Sequence, residues 1–78
     1  MSETLKNYAF DLGYEIKLRA LEAVRERDAA GSEDRSSESG RVMAFYEVIS
    51  LMQQNAESFG IPLSDLRLDD IVPDRDLV

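Results

Sequence analysis

The first thirty residues carry two separate apolar lines and no proline, and those lines limit what the chain can fold into. Leu5, Ala9, Leu12, Ile16, Ala20 and Ala23 recur at spacings of three and four, the mark of one helical face. Phe10, Tyr14, Leu18 and Leu21 keep the same spacing on a different face, because each residue turns the helix by about 100°. A helix in a lone hairpin has one neighbour and needs one buried stripe. Two stripes require two sets of neighbours. Gly13 lies between the lines. An interior glycine costs a helix about 1 kcal/mol relative to alanine, so it marks a place where a backbone or an aromatic ring approaches closely.

The ends of this helix are legible. Ser2 is a candidate N-cap, with Glu3 in the first turn where negative charge suits the helix dipole. Gly31 follows Ala29 and Ala30 as a candidate C-cap, with Arg25 and Arg27 in the closing turns. Helix 1 is therefore expected over about 2–30. Glu15 and Arg19 form an i,i+4 pair on its polar side. The stretch from Gly31 to Gly40 holds no apolar side chain and reads as a solvated loop over 31–39, whose last serines offer several N-caps.

A second helix is expected over about 40–59. Val42, Phe45, Ile49, Met52, Ala56 and Phe59 alternate spacings of three and four, the seam of a bundle-like packing. Ala44, Val48 and Leu51 widen that face on one flank, and Tyr46 lies on the other. Met43 falls opposite the seam, and Gln53, Gln54 and Asn55 fill the solvent side. Gly60, Ile61 and Pro62 then match a terminating glycine, a hydrophobic contact and a proline stop.

The C-terminal extension, 60–78, contains Leu63, Leu66, Leu68, Ile71 and Val72, too many apolar side chains for a solvated tail. It is expected to fold back over the hairpin or over a partner chain. Ser64 is placed to cap a short helical turn, Pro73 to Asp76 reads as a turn, and Leu77 and Val78 as a fraying end.

These features describe an all-α protein: one antiparallel two-helix hairpin spanning 1–78, with a C-terminal extension. Chains of 78 residues often need a staple, a metal or a partner. This one has no cysteine for a disulfide and no histidine for the usual zinc frameworks. Pairing of two hairpins into a homodimeric four-helix bundle would bury the surplus stripes. The residues expected to form the core and interface are Phe10, Tyr14, Leu18, Leu21, Val42, Phe45, Ile49, Met52 and Phe59. The alternative is a monomer in which the extension covers the second stripe.

The same absences argue against an enzyme. Without histidine or cysteine the commonest general base and the thiol nucleophile are missing, and the four scattered glycines form no phosphate loop. No catalytic residue, cofactor site or metal site is expected. Asp69, Asp70, Asp74 and Asp76 cluster, but without the central glycine and closing glutamate of a calcium loop they read as a solvated acidic segment or a dock for a basic surface.

Sixteen acidic residues against nine basic ones give a net charge of −7, which repels nucleic acid and anionic membranes. No apolar run is long enough to span a bilayer, and Met1 to Leu5 do not open a secretory signal, so a cytoplasmic protein is expected. The functional expectation is a non-enzymatic interaction or adaptor module. Two alternatives stand beside it. One is an antitoxin, immunity protein or nucleic-acid mimic that neutralises a basic protein. The other is a bundle that binds a small molecule or metal.

Overall fold

The computed structural model describes residues 2–78, which form two long helices packed against each other, with no strand among the described residues. Helix α1 spans Glu3–Ala29 and helix α2 spans Arg35–Ser58. A 3-10 turn, Leu63–Leu66, and a single helical turn α3, Pro73–Asp76, follow in the C-terminal extension. The molecule is elongated, 46 × 21 × 16 Å, as expected when a 27-residue helix sets its length.

Helix α1 starts where Ser2 caps it, the Ser2 hydroxyl oxygen accepting from the backbone N–H of Leu5 at 3.2 Å. It ends at Ala30, one residue before Gly31, and the cap has extended rather than left-handed backbone. Helix α2 begins at Arg35, well before the start near residue 40 that the serine-rich sequence suggests. The reason is local. The N–H groups of Asp34 and Arg35 both donate to the Gly31 carbonyl, so the connection winds directly into a helical turn. Glu38 then sits in the first turn with its charge aligned to the helix dipole. Arg41 ties that turn down by pairing with both Glu38 and Glu26 of α1.

The stop after α2 is the expected one. Gly60 adopts φ +69°, and the N–H groups of Ile61 and Gly60 donate to the carbonyls of Ala56 and Glu57, at 2.8 and 3.1 Å. These two bonds satisfy helix-end carbonyls that would otherwise be orphaned. The 3-10 turn ends in the same way. Leu68 donates to Leu63 and Arg67 to Ser64, but here the left-handed residue is Arg67, φ 56° and ψ 29°.

The extension packs on its own hairpin. Ala20 and Ala23 of α1, Val42 and Ile49 of α2, and Leu68, Ile71 and Leu77 form one buried cluster. Two of its four largest fully buried side chains, Leu68 and Leu77, come from the extension, so hairpin and extension share one core. Leu77 is not a fraying end: it is 1% exposed, and Arg27 donates to the Val78 carbonyl at 3.2 Å. Ser64 does not cap the short turn, whose N-cap position is Pro62.

Candidate interaction face

The hairpin has two broad sides, and the extension covers one of them. On α1 the covered side is built from Phe10, Gly13, Tyr14 and Lys17. The carbonyl oxygen of Leu66 lies against Gly13 so closely that any β-carbon at that position would overlap it. The Arg67 guanidinium lies 4.9 Å from the Phe10 ring centre and 4.3 Å from that of Tyr14. Lys17 is 7% exposed, and its ammonium lies 2.9 and 3.2 Å from the two carboxylate oxygens of Asp70. That ion pair holds the Asp70 carboxyl below its ordinary range.

On α2 the covered side is built from Tyr46 and Gln53. The Gln53 amide donates to the carbonyls of Leu68 and Ile71, at 3.1 and 2.9 Å. The Tyr46 hydroxyl donates to Asp74, which raises the tyrosine above its usual range. Asp76 closes the last turn, accepting from the Val72 N–H and pairing with Arg75, and is lowered to about 2 mainly by that arginine.

The opposite side has no such cover. Leu5, Tyr8 and Leu12 on α1, and Val48, Leu51 and Phe59 on α2, are between 41% and 80% exposed. At about 100° per residue these positions lie close to half a turn from the covered line on each helix. Because the helices are antiparallel, both sets turn to the same side of the hairpin. Ile16, Phe45 and Met52 border this face while packing against the core. The Arg41 pairs with Glu26 and Glu38 mark its polar end near the interhelical connection.

The residues singled out from sequence divide between the two sides. Phe10, Tyr14 and Leu21 lie on or beside the covered side; Leu21 packs on the core cluster, and Leu18 remains 42% exposed. Val42 and Ile49 are fully inside, and Phe45 and Met52 pack on the core from its edge. Phe59, the last position of the seam, is 80% exposed because it caps α2 where the chain turns away at Gly60. Met43 is exposed.

Three holding residues were not legible. Lys17 looks like a surface lysine in a charged helix, and Gln53 like solvent-side filler. Arg67 lies outside any periodic pattern. Lys17 and Gln53 take their partners from the extension, and Arg67 takes its own from α1, all far away in sequence. Among the described residues no group of three or more acidic, histidine or cysteine side chains is placed to hold a metal ion. None of the helices described is long and apolar enough to cross a membrane.

No family model matches the chain, and neither curated proteins nor solved structures include a significant match to it.

Proposed function

We propose that the protein is a non-enzymatic interaction module that docks through the open face of its hairpin, onto a second copy of itself, to form a four-helix bundle. The observation that carries this reading is the line of large apolar side chains from Leu5 and Phe59 to Val48, exposed along the side of the hairpin that the extension leaves uncovered. Single exposed apolar residues are ordinary on a protein surface. A continuous line along two adjacent helices is the kind of patch that marks an interaction site.

A second copy suits this face for a geometric reason. The face is a two-helix ridge, and a two-fold axis brings an identical ridge against it as a closed, self-complementary contact. Four helices then surround one interior, with Leu12 and Leu51 of each chain turned inward. The charged end formed by Glu26, Glu38 and Arg41 stays at the rim, where ion pairs remain solvated.

Light scattering after size exclusion tests the reading. The expected mass at micromolar concentration is twice the 8.8 kDa of one chain. Leu51→Glu is expected to return the protein to the monomer mass with unchanged helical circular dichroism. A wild-type mass of one chain up to millimolar concentration would sink the self-pairing.

A further inference from the structure

On the other side of the molecule, α2 and the extension enclose an open groove of about 500 Å³, within the range of ligand-binding clefts. Its α2 wall is a single helical face: Tyr46, Ser50, Gln53, Gln54 and Glu57. Its other wall comes from the extension, through Ile61, Leu63, Pro73 and Asp74. The two walls offer different chemistry. On the helix Ser50 and Gln54 can both donate and accept, while Tyr46 and Gln53 spend their donors on the extension; the extension presents apolar surface. No lysine or arginine lines the groove, while a carboxylate stands toward each end. Asp74 uses one oxygen to accept from Tyr46, and neither its second oxygen nor the Glu57 carboxylate has a partner in the chain among the described residues.

We infer that this groove binds an extended segment of another protein that carries two basic side chains about four residues apart. Charge sets the sign of the ligand: two carboxylates on a chain of net charge −7 attract a cation and repel an anion. Length sets the spacing. From Tyr46 to Glu57 the helix advances about 16 Å, at about 1.5 Å per residue. An extended chain covers that distance with about five residues. A spacing of four, about 13 Å between backbones, keeps both basic side chains on one face of the extended segment, and the length of lysine and arginine side chains covers the remaining distance to Asp74 and Glu57. Wall chemistry favours a peptide over a simple polyamine. Ser50 and the Gln54 amide can satisfy peptide backbone groups, the Gln53 oxygen can accept from one more, and Ile61, Leu63 and Pro73 can cover an apolar side chain between the two cations.

The groove and the open apolar face lie on opposite sides of α2. Occupancy of one leaves the other accessible, so the groove does not depend on whether the protein pairs with itself.

Fluorescence anisotropy on the full chain tests the inference. The probe is a labelled peptide of sequence Gly-Lys-Ala-Leu-Ala-Arg-Gly, with companions in which the basic residues are two or six apart. Saturable binding is expected, strongest for the four-residue spacing, and weaker at high salt. Glu57→Gln is expected to weaken it roughly threefold to fivefold, the size of one exposed ion pair. The Glu57 side chain makes no ion pair that holds the fold, so this variant separates binding from stability. Glu22→Gln, on α1 away from the groove, should leave binding unchanged. No saturable binding up to millimolar peptide would overturn the inference. So would an equal loss in Glu22→Gln, which would mean diffuse attraction to an acidic protein, or displacement of the peptide by equimolar spermidine.

Discussion

The ammonium of Lys17 lies 2.9 Å from a carboxylate oxygen of Asp70, fifty-three residues further along the chain, and joins the middle of α1 to the extension. Lys17 is almost wholly enclosed while Asp70 is largely exposed, 8% against 67% for the two side chains. A pair of this kind fixes where the extension sits more than it deepens stability, because solvent screens the exposed partner.

Acid should destabilise the whole fold through the carboxylates of the extension. Asp70 and Asp76 both have carboxyls held below the ordinary range, Asp76 at about 2. A group whose pKa is depressed by folding contributes stability that is present above its unfolded pKa, about 4, and lost as pH falls toward the folded value. The melting temperature is therefore expected to be flat from about pH 7 to 5 and to fall between about pH 4 and 2. Thermal melts of wild type and Asp70→Asn check this. The variant should begin lower and show a shallower acid fall; identical acid limbs would mean that the Lys17 pair does not contribute.

Gly13→Ala should destabilise the protein, although alanine is the better helix former. Propensity alone predicts a gain of about 1 kcal/mol. The Leu66 carbonyl occupies the space a methyl group needs, and that obstacle is backbone rather than a flexible side chain. Overpacking of this sort costs about 1–3 kcal/mol, so a net loss is expected in urea unfolding. A more stable variant would show that the 3-10 turn can lift away from α1 freely.

Two substitutions at Arg67 separate strain from stacking. A non-glycine residue in left-handed backbone costs about 1–2 kcal/mol. The guanidinium over Phe10 and Tyr14 offsets part of this, at about 0.5–1 kcal/mol for each partly exposed contact. Arg67→Gly removes both effects and is expected to be close to neutral. Arg67→Ala keeps the strain and loses the stacking, and should be less stable than the glycine variant by about 1 kcal/mol. Equal stabilities by chemical denaturation would contradict the left-handed assignment of that turn.

Removing one side chain of the extension should unfold more than the extension. Leu77 is 1% exposed in the same cluster as Ala23 and Ile49. Leu77→Ala is expected to cost about 3 kcal/mol, within the range for buried leucine truncation. Circular dichroism should show helix loss in one transition with tertiary signals from the tyrosines. Two separate transitions would mean that the hairpin is stable by itself.

The hairpin was legible because its signals are local. The stop at Gly60 needs only a glycine, an apolar residue and a proline in a row, and the close approach at Gly13 follows from a glycine where none is favoured. The two apolar lines of α1 pointed to more cover than α2 alone provides, and the extension supplies it on one side. The start of α2 was misread because Ser36, Ser37 and Ser39 have weak helix preference. Their penalty is small, and the turn closed on the Gly31 carbonyl by Asp34 and Arg35 starts the helix ahead of them. Phe59 fitted the seam by spacing, yet spacing does not reveal that the chain has already turned away at that point. Lys17, Gln53 and Arg67 share one obstacle. Each joins segments that meet only after the chain reverses, and no sequence period records such a partner.

The dependence of the core on Leu68, Ile71 and Leu77 also has a temporal side. During synthesis α1 and α2 leave the ribosome first, and both sides of the hairpin are then bare. Closure of the buried cluster waits until the segment carrying those three residues has emerged, because Lys17 and Gln53 have nothing to hold before that. The interval is a window in which nascent hairpins present sticky helices to one another, and proximity on neighbouring ribosomes would favour premature association. The segment from Leu68 to Leu77, made after the two helices, thus completes a core that they begin.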